Sequence, residues 1–249
     1  MSGTDEATVS YFDNHCHEYG RDRIRGLAKV LRPMLGEGTR LVDVGSGTGA
    51  NLARLSKALR VDDLTALDAS AESLSRVAER LPRARTECLS ILDEEALEPL
   101  AGEFDVVVMA AVLHHLVGST RRESRVLAER GLAHAARLAR PGGLVVVLEP
   151  VFEQRGLGVL VRPNGSIFWV KRVVTSATSR RVPVLGYWNN IGAPVVSFYS
   201  GDEVAAMTAR AGLDLVHRDS REQRAGAIGM VARRADDTFI ARVPPPRRG

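Results

Sequence analysis

Between Arg40 and Leu148, short apolar runs alternate with amphipathic stretches, and nothing else in the chain constrains its fold as strongly. Residues 40–44, 64–68, 85–89, 104–110 and 144–148 read as strands. Residues 50–59, 71–81, a polar stretch near 94–100 and a longer segment from Thr120 to about Ala139 read as helices. The strand segments are continuous apolar runs, such as Val106-Val107-Val108-Met109, rather than alternating ones. Strands of that kind are buried on both faces, as in a parallel sheet covered by helices. The repeated strand–helix order predicts an α/β fold with a doubly wound sheet.

The flanks of this core have their own signals. Tyr11, Phe12, Ile24, Leu27, Val30 and Leu31 recur at near-helical spacing and predict an N-terminal helical cap over 8–36, closed by Pro33 and Gly36. Thr120-Arg121-Arg122-Glu123 has the capping-box form, and Pro141-Gly142-Gly143 ends the helix that it opens. After Pro150 the periodicity stops. Residues 151–199 are too long for a plain connection and are expected to be an insertion that covers the substrate. Ser200-Gly201-Asp202-Glu203 is a second capping box, opening a helix to about Ala211. Residues 213–217 and 227–232 read as an antiparallel hairpin, completing a C-terminal unit over 200–234. The expectation is one domain over 1–240, with a cofactor-binding core at 40–149 and a disordered tail at 241–249.

Composition excludes several classes. The apolar fraction of 45% supports a sizeable core. No apolar stretch reaches the roughly 18 residues needed to span a bilayer. The polar N-terminus lacks a signal core, and two cysteines are too few for a disulfide framework. A cytoplasmic protein without a membrane partner is expected. The net charge of +4 comes almost entirely from arginine, which together with abundant Ala and Gly suggests a coding bias rather than nucleic-acid binding. The densest basic cluster, Lys171-Arg172 with Arg180-Arg181, reads as a solvated face.

Leu41-Val42-Asp43-Val44-Gly45-Ser46-Gly47-Thr48-Gly49 places a glycine loop between the first core strand and its helix. Glycines there let the backbone turn sharply and let a ligand approach main-chain atoms. Two cofactor classes fit. Gly45, Gly47 and Ala50 satisfy the dinucleotide pattern G-x-G-x-x-G/A, and Asp68 ends the next strand, where either kind of cofactor presents ribose hydroxyls. Asp43 separates them, because a dinucleotide-binding strand usually has an apolar residue at that position, whereas a carboxylate suits a cationic ligand end. Glu103-Phe104-Asp105-Val106-Val107-Val108 and Arg140-Pro141-Gly142-Gly143 then follow in order, before the closing helix and hairpin.

With LVDVGSGTG, LTALD, EFDVVVMAAVLHHL and ARPGGLVVVLEP in this order, the chain resembles the class I S-adenosylmethionine-dependent methyltransferases. The resemblance covers roughly residues 10–149 and, more loosely, 198–234. Tyr11-Phe12-Asp13 and Phe198-Tyr199-Ser200 are similar to the small-molecule branch of that family. The resemblance implies a seven-stranded, mostly parallel sheet whose last strand is antiparallel. It also implies S-adenosylmethionine as methyl donor, with S-adenosylhomocysteine as its product. Gly45, Ser46 and Gly47 would then lie under the methionine part of the cofactor. Asp68 would take the ribose hydroxyls, Ala69, Ser90 and Ile91 would border the adenine, and Met109 and Tyr11 would complete the cofactor contacts. Many relatives carry Asp where Ser90 stands, which leaves Asp93 as the nearest substitute.

Methyl transfer is an in-line displacement at an activated sulfonium. The protein holds the nucleophile and methyl carbon in line, and supplies a base when the nucleophile carries a proton. His114 and His115 follow the fourth strand, at the carboxyl edge where such sheets bind ligands. Imidazole titrates near neutral pH, so either could take a proton, with His115 preferred; a loop brace is the alternative. Glu149, ending the fifth strand, reads as a base, as an amine binder or as a hydrogen-bonded strand-end carboxylate. Trp169, Tyr187, Trp188 and Asn189 of the insertion and Tyr19 of the cap are substrate-pocket candidates that fit core or lid packing as well. Asn14-His15-Cys16-His17-Glu18 resembles a metal cluster only in composition, because His15 and His17 face different sides of a helix.

The function expected is metal-independent methylation of an O, N or C atom of a small molecule, such as a secondary metabolite, with no nucleic-acid partner. The alternatives are an NAD(P)-dependent oxidoreductase and a non-catalytic cofactor-binding relative. Oligomeric state stays open, with a homodimer among the options.

Overall fold

The computed structural model describes residues 21–154, 164–165, 168–169, 196–223 and 232–245. The elements described run α1 (Arg21–Leu31), β1 (Arg40–Val44), α2 (Ala50–Leu59), β2 (Asp63–Asp68), α3 (Ala71–Arg80), β3 (Arg85–Cys88), α4 (Glu94–Leu97), β4 (Phe104–Ala110), α5 (Arg121–Leu138), β5 (Ala139–Gln154), α6 (Gly201–Arg210), β6 (Asp214–Gln223) and β7 (Ala232–Arg242). The strands form one seven-stranded sheet in the order β3-β2-β1-β4-β5-β7-β6. The pairs from β3 to β5 are parallel, and β7 is antiparallel to both β5 and β6. Six strands share one direction and β7 opposes them, as the family resemblance implies. The order reverses between β1 and β4, and a crevice opens at the carboxyl edge of such a switch point.

Helices cover both faces. Val106 and Val108 of β4 pack with Leu27 of α1, Leu52 and Leu55 of α2, and Val77 of α3. Val107 and Met109 point the other way, into a core with Leu132 and Leu138 of α5 and Val204 and Met207 of α6. Successive strand residues face opposite sides, so a strand sandwiched between two helix layers must be apolar at every position.

Caps fix the helix starts. The Ser70 hydroxyl accepts the Ser73 N–H at 3.0 Å at the start of α3. Ser200 forms the expected reciprocal box, its hydroxyl accepting the Glu203 N–H while the Glu203 carboxylate accepts the Ser200 N–H. At Thr120 the box is only half formed. The hydroxyl accepts the Glu123 N–H at 3.1 Å, but the Glu123 carboxylate takes the Ser119 N–H, one residue earlier.

The C-terminal elements differ in extent from the sequence expectation. β5 continues to Gln154, past the expected end of the core at 149. β6 and β7 are longer and later than the expected 213–217 and 227–232. Order also persists beyond 241. Arg242 pairs with Leu144, and Val243 exchanges main-chain hydrogen bonds with Gly142 and Gly143. The cause is polar patterning. β6 is a mostly exposed edge strand, and β7 carries Arg233, Arg234, Asp236 and Asp237, so neither shows an apolar run. Asp237 is nonetheless fully buried, and its carboxylate accepts from Arg218 Nη2 at 3.1 Å and from Ser220 Oγ at 2.6 Å. A Cβ on Gly201, the first residue of α6, would collide with the Arg218 guanidinium and the Asp237 carboxylate, so a side chain there would displace this pair.

Tyr11 and Tyr19 of the expected cap, and Tyr187, Trp188 and Asn189 of the insertion, lie outside the described residues. Among the described residues no helix is long and apolar enough to cross a membrane.

Candidate active site

The β1–α2 loop folds back over the end of β2. The N–H groups of Gly45 and Ser46 donate to Leu67 O at 2.7 and 3.2 Å. Gly45 has φ +67°, and a Cβ there would stand 2.7 Å from Val112 Cγ2. Conformation and space therefore both demand glycine. The Asp68 carboxylate organises the same corner, accepting the N–H of Gly47 on Oδ2 at 2.8 Å and that of Ser70 on Oδ1 at 2.9 Å. Each carboxylate oxygen has two lone pairs, so these bonds leave it capacity for ligand hydroxyls.

Loop and strand ends enclose a cavity of about 840 Å³ at the carboxyl edge. Gly45, Ser46 and Gly47 line one side. Asp68, Ala69, Ser90 and Ile91 line the next, and Ala110, Ala111, Val112 and His115 close it from the end of β4. Ser90 Oγ accepts the Leu92 N–H at 3.2 Å. Asp93 also lines the cavity, while its carboxylate caps α4 by accepting the Ala96 N–H.

Asp43 lies just behind this wall, 1% exposed, and its Oδ1 has no hydrogen-bond partner. Burial, and secondly the neighbouring Asp68 carboxylate, push its pKa from 3.8 up to about 8. Two carboxylates in one sheltered corner favour a cation and repel a pyrophosphate. The orphaned oxygen and the glycine loop thus fit a ligand with a positively charged end.

The three catalytic candidates separate. His115 lines the cavity and is half-buried. His114 is buried behind it, with ring centroids 3.8 Å apart. Glu149 is fully buried; its Oε1 accepts the His114 main-chain N–H at 3.0 Å and bonds His114 Nδ1. Glu149 is thus a buried, hydrogen-bonded carboxylate at the end of the strand, one of the readings the sequence allows, and it does not line the cavity. Phe198 stacks on the other side of the His114 ring at 5.2 Å, and the Ser197 N–H donates to His114 O. The end of the insertion thus returns to this site.

Two further candidates lie away from the cavity. Met109 does not line the cavity, because strand alternation turns it into the α5–α6 core. Trp169 is 58% exposed, edge-on to Phe168, and does not line the cavity either. Sequence reasoning missed Val112, Leu116 and Arg130 as lining residues. It also missed Ala111, which holds φ +60° without being glycine, a conformation that the residue type does not announce.

Residues 42–145 match the family model described as "Methyltransferase domain". Over these residues the chain resembles a methyltransferase domain. Its matched stretch contains every described cofactor candidate and both histidines. A demethylluteothin O-methyltransferase from Streptomyces thioluteus is 34% identical over 113 residues, covering 43% of this chain and 45% of the relative. An uncharacterized protein from Synechococcus sp. is also 34% identical, over 119 residues, covering 45% of this chain and 25% of that protein. The chain thus spans between a quarter and a half of the curated relatives that it matches. Among solved structures, the geranyl diphosphate C-methyltransferase of Streptomyces coelicolor A3(2) has the same fold, with TM-score 0.61 and 13% identity over 97% of this chain and 99% of the other. A fold of that kind accounts for the sheet order and for the position of the cavity.

Proposed function

We propose that this chain transfers a methyl group from S-adenosylmethionine to a hydroxyl of a small organic molecule, with His115 as the group that takes the hydroxyl proton. The observation that carries the reading is one cavity lined by both the Asp68 carboxylate and the His115 imidazole, with the buried Asp43 beside Asp68 behind its wall. The name of the Streptomyces thioluteus relative, an O-methyltransferase, supports oxygen as the acceptor atom.

When bound, the cofactor supplies an activated methyl group on a sulfonium. Gly45, Ser46 and Gly47 would hold its methionine portion, Asp68 its ribose, and Ala69, Ser90 and Ile91 its adenine. Asp43, ionised beside a cation, would offset the ligand's positive charge. His115 would accept a proton from the acceptor hydroxyl. Glu149 holds His114 by two bonds, and Phe198 packs its ring, so the imidazole next to His115 is fixed in place. His114 and Glu149 are positioning residues in this scheme.

Equilibrium dialysis compares S-adenosylmethionine with NAD(P). Incubation with the methyl-labelled donor and an extract of the producing cells, followed by mass spectrometry, identifies the acceptor. The His115→Ala variant is expected to keep donor affinity within about twofold while losing about 10²–10⁴ in turnover, the usual span for a general base. Selective binding of NAD(P), or unchanged turnover in the variant, would overturn the reading.

A further inference from the structure

Ser90, Ile91, Leu92 and Asp93 line the cavity just after β3. They form a tight turn. The Asp93 N–H donates to Ser90 O at 3.0 Å, and Ser90 Oγ accepts the Leu92 N–H at 3.2 Å. The carbonyls of the two central residues are taken by α5. His134 Nδ1 lies 2.6 Å from Ile91 O, and Arg130 Nη2 donates to Leu92 O at 3.1 Å. A carbonyl has no hydrogen to give, so Nδ1 carries the imidazole hydrogen and donates it. Arg130 and His134 are four residues apart and share one helix face. Further along that face, Arg137 bonds the carboxylates of Glu94 and Glu98, and His134 Nε2 stands 4.0 Å from Glu94 Oε2.

These contacts are unequal. Arg137, Glu94 and Glu98 are exposed, and ion pairs between such groups contribute little. His134 is 6% exposed and Ile91 5%, so their hydrogen bond is sheltered, and losing its donor leaves a buried acceptor unpaired. His134 does not itself line the cavity, and it reaches a ligand there only through Ile91.

We propose that His134 is a positioning residue for base selectivity, holding the turn 90–93 by Ile91 O, with Arg130 on Leu92 O, in the shape that reads the edge of adenine; this rests on the reading that the cavity takes S-adenosylmethionine. In that reading Asp68 and the glycine loop hold the ribose and the methionine portion, and the base meets this turn. Reading a base edge needs polar groups that stand still. The polar side chains of the turn are committed within it or to α4, Ser90 Oγ to Leu92 and the Asp93 carboxylate to the Ala96 N–H. The turn therefore moves as one unit, and what grips it from outside sets its position. Hypoxanthine has the shape of adenine, with an oxo group in place of the amino group and a hydrogen added on the neighbouring ring nitrogen. A site that hydrogen-bonds one such edge rejects the other, and a loosened turn loses the distinction.

The test is isothermal titration calorimetry on the full chain with S-adenosylhomocysteine and S-inosylhomocysteine. Wild type is expected to bind the adenine ligand about tenfold or more tightly than the hypoxanthine ligand. His134→Leu keeps most of the side-chain volume and removes the donor. It should lower affinity for S-adenosylhomocysteine about tenfold and change affinity for S-inosylhomocysteine less than about twofold, so that the preference disappears. His134→Asn places an amide N–H where Nδ1 stands and should restore the preference to within about threefold of wild type. Arg130→Ala, at an exposed position, should lower the preference by a smaller factor. The proposal is overturned if His134→Leu keeps the wild-type preference or weakens both ligands by the same factor, as general loosening would. Should that variant not fold, an unchanged preference in Arg130→Ala overturns it. Wild type that binds both ligands equally overturns this proposal alone, whereas wild type that binds neither overturns the methyl-transfer reading and this proposal with it.

Discussion

Asp43 on β1 and Asp237 on β7 are both carboxylates sealed within one sheet, and their surroundings are opposite. Asp237 is matched, with Arg218 and Ser220 each donating to it and Gly201 leaving room for the cluster. Asp43 is unmatched. One oxygen has no partner, its charged neighbour is another carboxylate, and its pKa is pushed up to about 8. Burying a polar group without a partner costs free energy that natural folds seldom retain without use. The matched carboxylate ties α6 to the hairpin, and the unmatched one sits behind the cofactor loop. The contrast separates a group that holds the fold from one whose surroundings, in the function proposed above, a ligand would complete.

The largest expected effect is on the matched side. Asp237→Ala leaves Arg218 without its buried acceptor, and breaking a buried pair from one side costs about 3–5 kcal/mol. Arg218 is 30% exposed and keeps Asp202, so the lower end, on the order of 3 kcal/mol, is expected. Urea unfolding measures it, with donor affinity unchanged in the surviving folded fraction. A loss below about 1 kcal/mol would erase the distinction between the two carboxylates.

Asp43→Asn tests the other side. The amide keeps the shape and removes the charge, so the proposed donor loses a carboxylate facing its cationic end. A loss of about tenfold in S-adenosylmethionine affinity, near 1.4 kcal/mol, is expected by calorimetry. Stability without ligand should hold or rise at pH 8, because the variant no longer buries a group that ionises there. A variant that unfolds like Asp237→Ala would show that Asp43 is structural.

The two sides were also unequally legible in the sequence. The cofactor corner could be read because Asp43, Gly45 and Gly47 lie within one turn of chain and Asp68 ends the next strand. The role of Glu149 could not, since it rests on a bond to His114 across 35 residues of sequence. Alternation along β4 was visible, but not which face Met109 would join, because both faces are apolar. The hairpin was visible only in part. Its polar residues are balanced by long-range pairs such as Arg218–Asp237, which remove the apolar signal that marks a strand.

The smallest effect is the pH dependence that Asp43 imposes. In the unfolded chain this carboxyl ionises near its ordinary 3.8, and in the fold near 8. Between those values the folded state holds a proton that the unfolded state has released, so protonation favours the fold. That contribution is fully present below pH 3.8 and is lost as pH rises through about 8. Between pH 7 and 8 the loss is on the order of 1 kcal/mol, or about 2–4 °C in melting temperature for a chain of this size. Subtracting the melting curve of Asp43→Asn removes the titration of every other group. The difference should shrink toward pH 7 and widen toward pH 8, with wild type the less stable at the higher pH. Saturating S-adenosylmethionine should flatten it, because a cation beside Asp43 favours the ionised form and lowers the pKa toward its unfolded value. A difference that does not change with pH in the ligand-free protein would mean that Asp43 is matched after all, and its likeness to Asp237 would then be complete.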